Sequence, residues 1–264
     1  MVDWNAYLLA LGGVALFAVV AWGYSVARHN VGIVDSLWSL MILATLGVYV
    51  LVAESTGVRE TLLLTLVAIW ALRLSAHITV RNHGEAEDRR YQAIRRNNEP
   101  HFWLKSIYIV FGLQAVLAWF VAMPAVAAAA SPAPLGWLDA IAVAVWAIGM
   151  LFEVAGDWQL MRFQRERDSR DQVLDTGLWR YTRHPNYFGE ALLWWGIYLL
   201  AVSAGAWWTL ASPLLMTVLL LRVSGVALLE KDIADRRPAY REYIRRTSAF
   251  IPLPPKSNLT QQGG

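Results

Sequence analysis

Seven apolar stretches constrain this chain more than any other feature of its sequence. A bilayer core takes roughly 20 apolar residues of helix, and inside it the backbone must satisfy its own hydrogen bonds. The stretches run at 4–26, 33–53, 61–80, 102–124, 136–160, 186–203 and 206–226. The sequence therefore predicts an all-α integral membrane protein, a bundle of seven transmembrane helices that we number as spans 1 to 7.

The composition agrees with a membrane protein. Charged residues make up only 16% of the 264 residues, against about a quarter in soluble domains. We expect one transmembrane domain over residues 1–255, followed by a polar, disordered tail at 256–264. The absence of cysteine excludes disulfides, thiol nucleophiles and Cys-ligated metals.

The basic residues predict an orientation, because Lys and Arg accumulate in cytoplasmic loops. They fill the odd-numbered connections and the C-terminal segment, whereas the even-numbered connections carry Arg59 alone. This pattern places the N-terminus outside and the C-terminus in the cytoplasm. It also explains the net charge of +3, so we expect no nucleic-acid partner.

Two cytoplasmic connections are longer than the 2 to 8 residues that helix bundles usually need. The third, around Tyr91, carries both signs of charge and is expected to be either short surface helices or a solvated loop. The fifth contains six Arg and runs into the segment Gly177–Tyr198, GLWRYTRHPNYFGEALLWWGIY. There a basic turn meets an apolar helix that carries Glu190, and charges kept at the edge of lipid indicate a bound polar or charged group.

Ionisable residues inside the spans are costly and indicate function. They are Asp35 in span 2, Arg73 and His77 in span 3, Glu153 and Asp157 in span 5, Glu190 in span 6 and Arg222 in span 7. Several are paired at four-residue spacing, with Asn186 preceding Glu190, which places both members on one helix face. The alternatives are a purely structural network and a pocket open to the cytoplasm, and we favour the pocket because the stripes converge on the Arg-rich connection.

The chemistry of these side chains favours an anionic ligand with a polar ring. Arginine binds phosphate through a bidentate fork, and Asp157, Asn186 and Glu190 suit amide, hydroxyl or amine groups. A nicotinamide dinucleotide fits this description, and S-adenosylmethionine fits it less well. No metal is expected, because His184 has no second His or Cys at ligand spacing.

Two blocks of sequence resemble a known family. The run GLWRYTRHPNYFGE at 177–190 and the ending EKDIADRRPAYREYIRRTSAFIP at 230–252 are similar to the bacterial branch of the membrane steroid 5-alpha-reductase family. The resemblance is good over the C-terminal part of the chain and weak elsewhere. Isoprenylcysteine carboxyl methyltransferases share the R-H-P-x-Y element and a similar ending.

The resemblance implies an enzyme of the bacterial inner membrane that binds NADPH from the cytoplasmic side. It would reduce the C=C bond of a lipid enone, with a 3-oxo-4-ene steroid as the expected substrate and the 5-alpha-reduced 3-oxo steroid as product. Asn186 and Glu190 match residues that contact the nicotinamide. The full cofactor-binding set is expected to be Asp157, Arg162, Arg165, Tyr181, Arg183, His184, Asn186, Glu190 and Arg222.

The resemblance also implies two catalytic residues, Asp35 and Arg73. A protonated Asp35 would donate a hydrogen bond to the substrate carbonyl, or alternatively Asp35 would only satisfy backbone N–H groups where span 2 begins. The sequence departs from the family at two positions, with Trp70 in place of the catalytic Tyr and Glu153 in place of an Asn. The proton donor is therefore not assigned.

Two other functions remain open at this stage. One is an S-adenosylmethionine-dependent membrane methyltransferase of the isoprenylcysteine carboxyl type, and the other is a lipid-binding or transport protein with a structural polar stripe. Transport predicts inverted repeats and broken helices, which the sequence does not show. Expected partners are a lipid-soluble small molecule and membrane lipid, with no obligate protein partner.

Overall fold

The computed structural model describes residues 1–54, 56–169, 171–223, 226, 230 and 238–256. The predicted disordered tail lies outside these residues except for Lys256. Secondary structure within the described residues is helical apart from one isolated bridge between Thr182 and Ser248.

Ten α-helices follow one another along the described residues. They are α1 Trp4–Arg28, α2 Ile33–Val52, α3 Val58–Asn82, α4 Arg89–Asn98, α5 Phe102–Val121, α6 Met123–Ala129, α7 Trp137–Glu166, α8 Pro185–Ser203, α9 Ala211–Val218 and α10 Ala239–Arg246. Helix α5 contains a π-helical turn at Ile107–Gly112, and another π-helical turn, Leu219–Val223, continues α9. Short 3₁₀ turns lie at Gly177–Arg180 and Trp207–Leu210.

The predicted helical membrane class is confirmed. Among the described residues, five helices are long and apolar enough to cross a bilayer, namely α1, α2, α3, α5 and α7. Predicted spans 6 and 7 are helical over most of their length, since α8 covers Pro185–Ser203 and a shorter apolar helix covers Trp207–Val223. The count of seven spans and their orientation stay predictions.

The chain divides into two compact units. The first comprises Met1–Trp137 with Leu200–Ser212, and the second comprises Leu138–Leu199 with Pro213–Gly264. The prediction of one transmembrane domain over residues 1–255 stays a prediction. Within the first unit, buried Arg59 donates to the carbonyl oxygens of Leu200 and Pro134 at 3.3 and 3.1 Å, so a cation in an even-numbered connection has a structural role.

In the second unit, glycines let α7 and α8 approach each other closely. Gly149 and Gly156 on α7, and Gly189 and Gly196 on α8, repeat every seven residues, which keeps each pair on one helix face. A Cβ built on Gly149 would lie 2.5 Å from the Leu193 backbone nitrogen, and one on Gly196 would lie 2.7 Å from that of Trp146. These are backbone contacts that cannot move aside, so the glycines fix the facing register of the two helices.

Candidate functional site

The close contact of α7 and α8 brings Asp157 and Asn186 together. Asn186 Nδ2 donates to Asp157 Oδ1 at 2.9 Å, and Gly156 beside them leaves room for the first turn of α8, where a Cβ would lie 3.0 Å from the Asn186 backbone nitrogen. Asp157 is buried. The sequence predicted these two residues on two different helices, α7 and α8. The structure shows that the two helix faces that carry them are in contact.

The amide oxygen of Asn186 has a different environment from its amide nitrogen. Asn186 Oδ1 is buried and has no hydrogen-bond partner among the described residues. An unsatisfied buried acceptor costs about 1–3 kcal/mol, and such groups in native structures call for an explanation. A ligand with an N–H or O–H group would satisfy this oxygen.

Two further carboxyl groups lie close by on the same helices. Glu153 and Glu190 are buried, with only 1% and 7% of their surfaces exposed. Gly189 packs against the backbone nitrogen of Glu153, so Glu153 lies against the turn of α8 that leads to Glu190. The α7–α8 contact therefore concentrates polar groups in a segment otherwise built for lipid, as the sequence predicted.

Arg183 and His184 are held by Glu230, a residue that the sequence analysis did not select. Arg183 Nε and Nη2 each donate to a Glu230 oxygen at 2.7 Å, and His184 Nε2 lies 2.9 Å from Glu230 Oε1. Arg183 Nη1 also donates to the backbone carbonyls of Ile244 and Thr247. The guanidinium is thus directed at protein groups, and we call this cluster the Arg183–Glu230 clamp.

The Arg183–Glu230 clamp keeps the Glu230 carboxyl ionised. Burial by itself would raise the pKa of the Glu230 carboxyl, but the hydrogen bonds and charges of Arg183 and His184 outweigh it and lower this pKa to about 2. Glu230 is therefore a carboxylate at neutral pH, paired with an arginine of which 8% of the side chain is exposed.

Backbone contacts fix the clamp in place. Thr182 forms a parallel bridge with Ser248, Arg183 N donates to Ser248 O at 2.9 Å, and Thr182 Oγ1 donates to Phe250 O at 2.8 Å. The Tyr243 hydroxyl donates to Trp179 O. These bonds join the RYTRHP turn, residues 180–185, to the C-terminal segment at 238–256, so the two sequence blocks singled out above contact each other.

The remaining predicted cofactor residues are more exposed. Arg162 pairs with Glu166 at 2.9 Å on the last turn of α7, and Arg165 is exposed one turn from it. Tyr181 is 45% exposed, and Arg222 is exposed on the π-helical turn after α9. The predicted set therefore falls into the Asp157–Asn186 pair with the buried Glu190, the Arg183–Glu230 clamp, and the exposed residues Arg162, Arg165, Tyr181 and Arg222, and its role in binding stays a prediction.

Asp35 belongs to the first unit, where α4 provides its partners. The Tyr91 hydroxyl donates to Asp35 Oδ1 at 2.5 Å, and Arg90 Nη2 donates to Asp35 Oδ2 at 2.8 Å. Both carboxyl oxygens thus act as acceptors, whereas the predicted role needs Asp35 as a donor.

The third connection forms a helix around a buried Tyr91. Of the two alternatives that the sequence left open, a short helix or a solvated loop, the structure shows the helix.

The other predicted catalytic residue, Arg73, lies half-buried on α3, one turn from His77. Trp70, which stands where the resemblance places a Tyr, is 1% exposed. Sequence reasoning missed Arg90, Tyr91 and Glu230 as partners of predicted site residues. The available signals were a tyrosine within a highly charged loop and an acid at the head of the C-terminal block.

Comparison with known proteins identifies a family whose function is not known. A family model described as "Protein of unknown function (DUF1295)" matches residues 21–247. An uncharacterized protein of the yeast Schizosaccharomyces pombe is 25% identical over 94% of this chain and 80% of its own length. No solved structure matches the chain. The resemblance to the membrane steroid 5-alpha-reductases therefore remains an expectation.

Proposed function

We propose that this chain, which belongs to the DUF1295 family of proteins of unknown function, is an NADPH-dependent membrane reductase. Its substrate would be a lipid enone such as a 3-oxo-4-ene steroid, reduced at the C=C bond. The observation that carries the proposal is the buried Asn186 Oδ1, which has no hydrogen-bond partner among the described residues.

A nicotinamide ring fits the groups around Asn186. Its carboxamide has an NH₂ group that would donate to Asn186 Oδ1, while Asp157 accepts from Asn186 Nδ2 and so keeps Oδ1 directed at the ligand. When bound, NADPH would supply the hydride. Asp157 and Asn186 would orient the ring, and the apolar helices α7 and α8 that carry them would keep water from it.

On the substrate side, Asp35 and Arg73 stay the predicted catalytic residues, but Tyr91 and Arg90 donate to the two oxygens of Asp35 and hold that carboxyl as an acceptor. The phenol is a donor that needs no shift in protonation at neutral pH, because burial and the neighbouring Asp35 charge raise the pKa of Tyr91 well above its usual value. Its single proton is held in the hydrogen bond to Asp35 Oδ1 at 2.5 Å. The proton donor of the proposed reaction is therefore not assigned.

The proposed enzyme crosses a bacterial inner membrane seven times, with its N-terminus outside and its C-terminus in the cytoplasm. The asymmetry of basic residues supports this topology. It would place the RYTRHP turn and the C-terminal segment where NADPH is available, and a lipid-soluble substrate would enter from the bilayer. No nucleic acid and no obligate protein partner enter the proposal.

The test of cofactor identity is a thermal-shift titration of the purified protein with NADPH, NADH and S-adenosylmethionine. We expect NADPH to raise the melting temperature by linkage. Asn186→Leu should weaken NADPH binding by about tenfold, since it removes one hydrogen bond to a buried acceptor. Asn97→Leu, at an exposed position of α4, is the matched control and should bind as the wild type does.

The same titration discriminates the rival functions. Stabilisation by S-adenosylmethionine and not by NADPH would replace the reductase with the methyltransferase. If none of the three compounds shifted the melting temperature, the cofactor proposal would be wrong and a lipid-binding or transport protein would be favoured.

A further inference from the structure

The second unit contains an open cleft of about 590 Å³ next to the RYTRHP turn. This volume falls within the roughly 300–1,000 Å³ typical of small-molecule sites. The cleft is lined by Asp175, Thr176, Gly177, Arg180, Arg246, Thr247, Pro255 and Lys256. Gly177 and Arg180 belong to the segment considered above and the Thr247 carbonyl to the Arg183–Glu230 clamp, whereas the other lining residues have so far been given no function.

The lining is predominantly basic. Arg180, Arg246 and Lys256 face one acid, Asp175, and that acid is already paired with Arg246. Arg180 and Lys256 therefore add positive charge that no carboxylate of the lining balances. Thr176 and Thr247 also line the cleft, and their hydroxyl groups are hydrogen-bond donors of the kind that bind anions.

The cleft is held open by contacts that do not involve a ligand. Lys256 N donates to Arg246 O at 2.9 Å, which fixes the end of the C-terminal segment against the last turn of α10. On the other side, Gln159 Oε1 accepts from Leu178 N at 3.0 Å. Gly177 has a φ of +59° and lies so close to Gln159 that a Cβ would come within 2.7 Å of its Oε1. The turn that carries Arg180 is thus pre-organised.

Arg183 is not part of this lining, because its donors are directed at Glu230 and at two backbone carbonyls. Within the cleft lining, Arg180 and Lys256 supply positive charge beyond the pair of Arg246 with Asp175. Two arginines, a lysine and hydroxyl donors match a phosphate group, which has several charged oxygens and accepts bidentate arginine bonds.

We propose that this cleft, formed by Arg180, Arg246 and Lys256, is a binding site for a phosphate group. The phosphate would belong either to a soluble nucleotide or to the headgroup of an anionic lipid. The inference does not depend on the proposed reductase activity, since either source would occupy the cleft without any reaction.

The experiment measures binding of two pairs of compounds to the purified full-length chain in detergent. Adenosine 2′,5′-bisphosphate is compared with adenosine, and dioctanoyl phosphatidic acid with dioctanoylglycerol, so that the members of each pair differ only in phosphate. At least one phosphate compound should bind at least about tenfold more tightly than its partner. The member that binds identifies the source as nucleotide or lipid.

Variants locate the binding. Arg180→Gln and Lys256→Gln should each weaken the phosphate compound by about tenfold, because each removes a charge-assisted hydrogen bond, and added salt should weaken it further. Arg245→Gln removes the same charge from the neighbouring residue of α10, where the side chain is 75% exposed and lies 3.6 Å from Glu242, and it should bind as the wild type does. Equal affinity within both pairs, or an equal loss in the Arg245 variant, would overturn the proposal.

Discussion

Replacing Arg183 with alanine should lower the free energy of unfolding by about 3 kcal/mol, in the range expected when one partner of a buried ion pair is removed. The loss leaves the Glu230 carboxylate without its bidentate partner and frees the carbonyls of Ile244 and Thr247. Denaturant titration of the protein in detergent measures it. Arg245→Ala, a change of an exposed arginine in a weak surface pair, should cost less than about 0.5 kcal/mol.

The pH dependence of unfolding gives an independent measure of the same clamp. Because the folded-state pKa of Glu230 is lowered from 4.5 to about 2, its contribution to stability is present above pH 4.5 and is lost as the pH falls towards 2. Arg183→Ala should remove this acid-sensitive part, and Arg183→Lys, which keeps the charge but not the fork, should retain some of it. Identical acid unfolding of wild type and the alanine variant would contradict the clamp.

Replacing Gly189 with alanine should destabilise the protein by about 2 kcal/mol, a typical cost of overpacking. The added Cβ would meet the Glu153 backbone nitrogen and lie 2.5 Å from the Gly149 carbonyl oxygen, and neither is a flexible side chain that can turn away. The helices α7 and α8 must then separate, which also moves Asn186 away from Asp157. We therefore expect NADPH binding to weaken together with stability.

Gly47→Ala in α2 is the matched control, because no atom lies within 4 Å of the Cβ that it would gain. Gly to Ala in an open helical position is expected to stabilise by about 0.5–1 kcal/mol, so the two substitutions should have opposite signs. A Gly189→Ala protein as stable as the Gly47→Ala protein would show that the α7–α8 contact is not close.

Local patterns predicted the helices well, and for a physical reason. In lipid a spanning segment must satisfy its own backbone, so the apolar run and the helix coincide, as they do for α1, α2 and α3. Helix α4 was expected only as one of two alternatives, because its sequence is almost entirely polar. The helix is stabilised by the Asp88 N-cap and by the contact between Tyr91 and Asp35. The two residues of that contact are far apart in the sequence, so local patterns could not predict it.

The site was predictable in its parts and not in its pairings. Four-residue spacing correctly put Glu153 with Asp157 and Asn186 with Glu190 on common helix faces, and glycines at seven-residue intervals bring those faces together. Spacing along one helix cannot show which distant residue completes a pair. Glu230 lies 47 residues from Arg183, so the sequence indicated a free arginine for phosphate where the structure shows an ion pair.

The central claim is tested most directly by incubating the purified protein in lipid nanodiscs with a 3-oxo-4-ene steroid and NADPH deuterated at the transferable position. We predict a saturated 3-oxo steroid that carries deuterium at the former β carbon and a solvent-derived hydrogen at the α carbon, detected by mass spectrometry. Asn186→Leu should greatly reduce this product. Recovery of the unsaturated steroid without label, from protein that binds NADPH normally, would contradict enone reduction.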